Sequence, residues 1–416
     1  MKILFYRYGN ICESDVVEVF HRFGIEVYED TLEIEEKHAS PERKARHLAD
    51  CIVECGKTGK IDLLFSMNFF PYVSEFCERL GILYVCWSVD CPVLELFSST
   101  IRNSCNRIFL FDQVQYQRIY PFHPEGVFYM PLCTNIYRWE KELLSVTEEE
   151  QRKYGRDISF VGSLYHEKSP LTMLNGQTGL PEYLQGYVKG LAEAQLLIYG
   201  SNFLEEMVTP ELISGLKRAF PDFYYLNDSM INTDPFVVAN YYLGMLVSEM
   251  ERVRVLNALA RWESVTVYTR SDVSFLKNVD CREGITTHVQ MPRIFRLSKI
   301  NLNITMKGIQ SGLPLRIWDV LGCGGFLLTN YQAEIPSYFE IGRDLECYES
   351  VEDCVAKARY YLRHEDIRME IAQNGYQKVK MMHTYEHSNV IQLSHSQLIL
   401  QRFLISGTAI LMLHKT

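Results

Sequence analysis

The chain has 416 residues, 47% of them hydrophobic and 23% charged, enough for two full-sized cores and unlike a disordered chain. Its net charge is −10 and no block is dense in lysine and arginine, which argues against a nucleic-acid partner. Twelve cysteines occur without a C-x-x-C pair, as expected of buried thiols in a reducing compartment. The start, MKILFYRYG, reads as a strand rather than a secretory signal. The longest late apolar run, Phe403–Leu413, is broken by Ser406 and Gly407 and falls short of the ~20 residues a membrane helix needs. A cytoplasmic protein without a transmembrane segment is therefore expected, with peripheral membrane contact left open.

Strands and helices alternate from the first residues. Residues 2–8 form a strand, Val16–Phe23 a helix and Ile25–Tyr28 a second strand, and the charged residues 29–48 lead into a helix over Ala49–Cys55. Ile61–Ser66, Ile82–Val89, Arg107–Phe111 and Gly126–Met130 continue the strands. This rhythm predicts a parallel, doubly wound sheet over residues 1–136. No G-x-G-x-x-G follows the first strand, which argues against a dinucleotide-binding enzyme. The polar residues Tyr8-Gly9-Asn10, Asn68, Asp90 and Asp112 fall at the carboxyl ends of the strands. Pro92 ends one strand just beyond Asp90, leaving Asp90 as either a helix cap or a catalytic carboxylate.

Residues 137–156 are charged and read as a connector. A second domain, 157–384, opens with the strand Asp157–Val161 and the turn Gly162-Ser163-Leu164, where Ser163 and Lys168 offer a hydroxyl and a cation. From about 169 to 261 helical patterns take over, at Glu182–Gln195, Pro210–Phe220 and Phe236–Ala260, predicting a helical insertion. The sheet resumes with Ser264–Thr269, which ends at Arg270, and a further strand is expected at Thr286–Gln290. Ile300–Thr305, the loop Gly308–Pro314, the helix Leu315–Leu321 and Gly325–Thr329 then form a strand–loop–helix–strand unit. Its Gly-bearing loop, with Arg316, Asp319 and the turn Cys323-Gly324-Gly325, suits a nucleotide diphosphate at the carboxyl ends of the strands. Leu345–Tyr348, Val351–His364 and Asp366–Met382 complete the domain. The tail, 385–416, is either a helix crossing back to the first domain or a divergent end.

The segment 298–385 carries a longer signature. It reads S-K-I-x-L-N, a short loop, then G-x-P-L-R-x-W-D-V-L-x-C-G-G-F-L-L-T-N-Y, with Asn374-Gly375-Tyr376 and His383-Thr384-Tyr385 downstream. In this it resembles the CgeB-like, spore-maturation-type branch of the GT-B glycosyltransferases. The resemblance implies an α/β, GT-B-like fold: two Rossmann-like parallel-sheet domains facing a central cleft, the first for an acceptor and the second for a nucleotide-sugar donor. It aligns Asp319 with an acidic residue that hydrogen-bonds the nucleotide ribose. Ser311 stands where the wider family has a glutamate, eight residues before Asp319.

Further donor-side candidates are Gly162, Ser163, Arg270, Ser311, Gly312, Arg316, Gly324, Thr329, Asn330 and Glu334. Arg316 either reaches a phosphate or pairs with Asp319. Glu334 either meets sugar hydroxyls or complements a helix N-terminus. His383 and His387 are spaced i, i+4, but His383 belongs to the family motif and a packing role is expected.

The expected activity is transfer of a sugar from a nucleotide sugar to an unidentified acceptor: a protein, a surface polysaccharide precursor or a small metabolite. Asp90 is the candidate general base. No D-x-D is present, so no metal and no cofactor beyond the donor itself are expected. The competing readings on the same fold are a nucleotide-sugar epimerase and a silent sugar-nucleotide binder. The sequence leaves the donor sugar, the stereochemistry and the oligomeric state open.

Overall fold

A computed structural model describes residues 1–173 and 179–388. Twelve strands among them form two six-stranded sheets, and every pair of neighbouring strands is parallel. The described residues divide into two units, one of residues 1–111, 115–130 and 384–388, the other of residues 112–114 and 131–383. The tail beyond 388, expected as a returning helix or a divergent end, lies outside the described residues.

The first sheet contains β1 (Lys2–Tyr6), β2 (Glu26–Asp30), β3 (Leu63–Met67), β4 (Leu83–Trp87), β5 (Asn106–Leu110) and β6 (Val127–Tyr129). Their order is β2-β1-β3-β4-β5-β6. Such a doubly wound sheet reverses direction between β1 and β3, and the loops after those two strands flank the crevice where a ligand is held. β1 and β3 are buried along their whole length, which explains their near-continuous apolar runs. Tyr385 packs edge-on against Trp87 and Glu386 pairs with Arg22 at 2.6 Å, so the described end of the chain belongs to this unit.

The second sheet contains β7 (Ile158–Val161), β8 (Val265–Tyr268), β9 (Asp280–Arg282), β10 (Ile300–Asn303), β11 (Leu327–Asn330) and β12 (Glu346–Tyr348). Their order is β12-β11-β10-β7-β8-β9, the dinucleotide-fold arrangement, with its reversal between β7 and β10. One expectation is corrected here. Thr286–Gln290 is not a strand; the third strand is β9, whose residues are all exposed and so give no apolar signal. Residues 137–156, read as a connector, carry helices Ile136–Leu143 and Glu148–Tyr154 of the second unit, with Trp139 buried and Arg293 pairing with both Glu142 and Glu150.

The stretch between β7 and β8 ends in the helix Gly244–Leu259, preceded without a break by a π-helical turn, Val238–Leu243. Val255, Leu256 and Leu259 join Ile158, Val267, Ile300 and Leu328 in the core of this unit. This last helix is therefore the crossover connecting β7 to β8, and it reaches the carboxyl end of the sheet. Gly375 shows how closely the final helix, Glu365–Met382, is seated: a Cβ there would lie 2.3 Å from the Asp344 carbonyl oxygen.

Candidate functional site

In the first unit the loops flanking the reversal are joined through Asn68. This residue sits at φ 60°, a left-handed conformation that asparagine tolerates better than most residues. Its Oδ1 accepts hydrogen bonds from the amides of Val89 (2.9 Å) and Asp90 (3.2 Å). Its Nδ2 donates to the Tyr8 hydroxyl (2.7 Å) and to Asp90 Oδ2 (2.5 Å). Asp90 is exposed, held at the rim by an amide rather than by a cation. Burial, and then the nearby Asp90 charge, push the Tyr8 phenol well above its usual range. The first unit thus presents Asp90 as an accessible, fixed carboxylate at the carboxyl end of its sheet.

In the second unit the loops after β7 and β10 meet at the crossover helix. Arg252 donates to the carbonyl oxygens of Ser163 and Ile304, the latter at 2.7 Å, and so ties the two loops together. It is 8% exposed and stacks over Tyr165, 4.2 Å from the ring centroid. Tyr165 itself sits at φ 69°, strain of a kind that collects at binding sites. Burial lowers the Arg252 pKa, with Tyr165 and Glu251 working against that shift. Lys307, in the loop after β10, is also buried and lies 3.1 Å from Glu251, the neighbour of Arg252 in sequence. Glu251 offsets the Lys307 charge, whereas Arg252 is held by carbonyl oxygens and the Tyr165 ring, a buried cation that an anionic ligand nearby would stabilise. Neither was anticipated from the sequence; the one signal is the charged cluster Glu249, Glu251, Arg252 and Arg254 inside a largely apolar helical run.

The expected residues divide into several groups. Ser163 lies at the β7 end, its Oγ donating to Glu167 (2.7 Å) and accepting from the Tyr165 amide, beside Gly162. Arg270 is exposed and lines a cavity of about 510 Å3 with Thr269, Ser271, Arg282 and Gly284, at the carboxyl ends of β8 and β9. Ser311 and Gly312 form an amide nest: with Gln310 they donate three backbone N–H groups to Asp112 Oδ2, at 2.8, 2.8 and 2.9 Å. Glu334 accepts from the Ser311 hydroxyl (2.6 Å) and the Gln113 amide (2.7 Å). Thr329 and Asn330 are buried and fasten β11 to the β10 end, through Asn303 and Thr305.

Three residues stand elsewhere. Asp319 is 4% exposed, its Oδ1 accepting from Thr134 Oγ1 (2.7 Å), which in turn accepts from Trp139 Nε1. Burial pushes its pKa up to about 6, partly offset by Arg316 and Thr134. It faces the packing between helices and not the loops after β7 and β10. Arg316 turns to Met291 and lies 5.1 Å from the Phe295 ring centroid, on the same packed side. Gly324 follows the C-terminus of the helix Leu315–Gly322, at the amino end of β11 and so at the pole of the sheet away from a ligand. Its φ of 72°, and the Arg296 Nη1 atom 2.3 Å from where a Cβ would stand, account for the glycine. Packing contacts surround these three motif positions. His383 likewise packs, its ring 4.7 Å from that of Trp318.

Two parallel sheets with these strand orders and polar carboxyl ends define a GT-B glycosyltransferase fold. Similar solved structures share it. The Anabaena protein HepE, in complex with UDP and glucose, matches with TM-score 0.54 and 9% identity, over 95% of this chain and 100% of that one. A structure described as trehalose-6-phosphate from E. coli, bound with UDP-2-fluoro glucose, matches with TM-score 0.53 and 8% identity, over 96% and 99%. A glycosyltransferase from Rickettsia africae matches with TM-score 0.51 and 10% identity, over 96% and 99%.

More particularly, residues 245–392 match a family model described as "Glycosyl transferase-like". That segment begins at the crossover helix and carries Arg252, Lys307, Ser311 and Glu334. No curated protein gave a significant match. No helix among the described residues is long and apolar enough to cross a membrane.

Proposed function

We propose that the protein is a glycosyltransferase that moves a sugar from a nucleotide-sugar donor to an acceptor hydroxyl. The observation that carries this reading is the pair of buried cations, Arg252 and Lys307, at the reversal of the second sheet, inside the segment that matches the glycosyl transferase-like model. The departing nucleotide diphosphate gathers negative charge, and fixed cations and loop amides are what offset it. Similar structures bound with UDP and UDP-sugars support a uridine nucleotide as the first donor to try.

The donor-side residues proposed are Gly162, Ser163, Arg270, Ser311, Gly312, Thr329, Asn330 and Glu334, with Arg252 and Lys307 added. Asp319, Arg316 and Gly324 act through packing. Asp90 is the proposed base on the acceptor side, because it is the exposed carboxylate that Asn68 fixes at the end of the first sheet.

Charge compensation by protein cations, together with a sequence that lacks D-x-D, supports a reaction independent of added metal. The motif over 298–385 supports a CgeB-like member, and twelve free thiols support a reducing, cytoplasmic setting.

The test incubates the purified protein with a panel of nucleotide sugars and measures release of nucleotide diphosphate, with and without added magnesium or manganese. Release with at least one donor, at a rate indifferent to the added ions, is expected. Tight nucleotide binding without turnover would instead make the protein a silent binder, and conversion of the sugar without release would make it an epimerase.

A further inference from the structure

At the carboxyl end of β2, the edge strand next to β1, the first unit brings together three side chains of different chemistry. Asp30 ends β2, while His47 and Cys51 are one turn apart on the helix Pro41–Lys57 that packs beside it. His47 Nδ1 lies 3.0 Å from Asp30 Oδ1 and 3.6 Å from Cys51 Sγ, and the ligand atoms of all three fall within 4.8 Å of one another. A tetrahedral zinc ion, with bonds of about 2.1 Å to nitrogen and 2.3 Å to sulfur, sets a nitrogen–sulfur edge of about 3.6 Å and a nitrogen–oxygen edge of about 3.4 Å. The three side chains are already near that spacing.

A second observation points the same way. Asp30 is 1% exposed, and its Oδ2 is buried with no hydrogen-bond partner among the described residues. A buried carboxylate oxygen left unsatisfied is costly, and a cation removes that cost. His47 and Cys51 are only partly buried, which leaves the cluster a path to solvent.

We propose that Asp30, His47 and Cys51 bind a divalent cation of zinc's character, with water as the fourth ligand, and so brace β2 against the helix Pro41–Lys57. The thiolate and imidazole favour zinc over magnesium or calcium, which take oxygen ligands. Binding releases the Cys51 proton, because a coordinated thiol is deprotonated. Burial and the Asp30 charge otherwise push that thiol up to about 11. The site is independent of the donor-side reading, and either can fail without the other.

The experiment uses the full chain, stripped of metal under reducing conditions. Zinc is titrated in competition with a chromophoric chelator, and cobalt is titrated by absorbance. One equivalent of zinc should bind, and cobalt should produce a thiolate charge-transfer band in the near ultraviolet. Cys51→Ser should abolish the band and weaken zinc binding by more than about tenfold, a loss reached even by partners behind the ligands. His47→Gln should weaken zinc similarly, while Cys281→Ser, at the exposed cysteine, should change neither. Failure of the wild type to bind one equivalent would overturn the proposal. So would a band and affinity that survive both ligand variants. Circular dichroism establishes that each variant folds; should Cys51→Ser not fold, His47→Gln and the wild-type stoichiometry decide.

Discussion

At the scale of single residues, burial decides what a carboxylate does. Asp319 and Asp90 are the two acidic side chains the sequence singles out most strongly, and the structure gives them opposite surroundings. Asp319 is enclosed beside Thr134 and Arg316, and its pKa is raised to about 6 by burial. A carboxyl with a raised pKa in the folded state binds its proton more tightly there than in the unfolded chain. Its contribution to stability is therefore full below the unfolded value near 3.8 and is lost as pH rises through about 6. Asp319→Asn keeps an oxygen to accept from Thr134 but has nothing to ionise. Denaturant midpoints should show the wild type losing ground to the variant between pH 4 and 7, by roughly 2 kcal/mol. A difference that does not change with pH would mean that the carboxylate finds compensation on ionising.

Within the elements, the glycines of the signature are seats for close packing. Gly375 lets the helix Glu365–Met382 rest on the Asp344 carbonyl and on Leu321. Gly375→Ala adds a methyl where the backbone cannot yield cheaply, so a loss of about 1–3 kcal/mol in unfolding free energy is expected. A thermal midpoint equal to that of the wild type would show that this helix can shift. The crossover helix Gly244–Leu259 makes the complementary point. Its apolar residues fill the core, whereas Glu249, Glu251 and Arg252 are drawn to the loops at the carboxyl end of the sheet. Removing only one member of the Lys307–Glu251 pair would leave a buried charge uncompensated, at a cost of about 3–5 kcal/mol. Such a variant reports on folding before it reports on donor binding.

At the scale of the whole molecule, the proposed tasks of the two units differ: donor binding for the second and acceptor activation for the first. Asp90→Asn is the variant that separates them. It should lower turnover by about 100-fold or more, the scale of a lost general base, and leave nucleotide affinity by calorimetry unchanged. Turnover equal to the wild type would return Asp90 to a capping or structural role. Ser311→Ala should do the reverse. It removes the hydroxyl that joins Glu334 to the amide nest, and should weaken nucleotide binding by about 1 kcal/mol. An affinity equal to the wild type would remove Ser311 from the donor side.

The alternation of apolar strands and helices determined, from the sequence alone, that the chain builds parallel α/β sheets, because a strand buried on both faces reads as an unbroken apolar run. It also put Asn68, Asp90, Ser163 and Ser311 at strand ends, where a ligand is met. It could not identify β9, whose exposed residues Asp280–Arg282 resemble a loop, nor decide which way a helical side chain points. A motif marks Asp319 and Arg316 as special without distinguishing a ribose from a neighbouring helix, since both ask for a polar group at that position. The tertiary structure supplied β9 and the packed surroundings of Asp319 and Arg316. It also brought Arg252 and Lys307, and separately Asp30, His47 and Cys51, to common points from distant places in the chain, because proximity in a doubly wound fold is set by strand order rather than by spacing along the sequence.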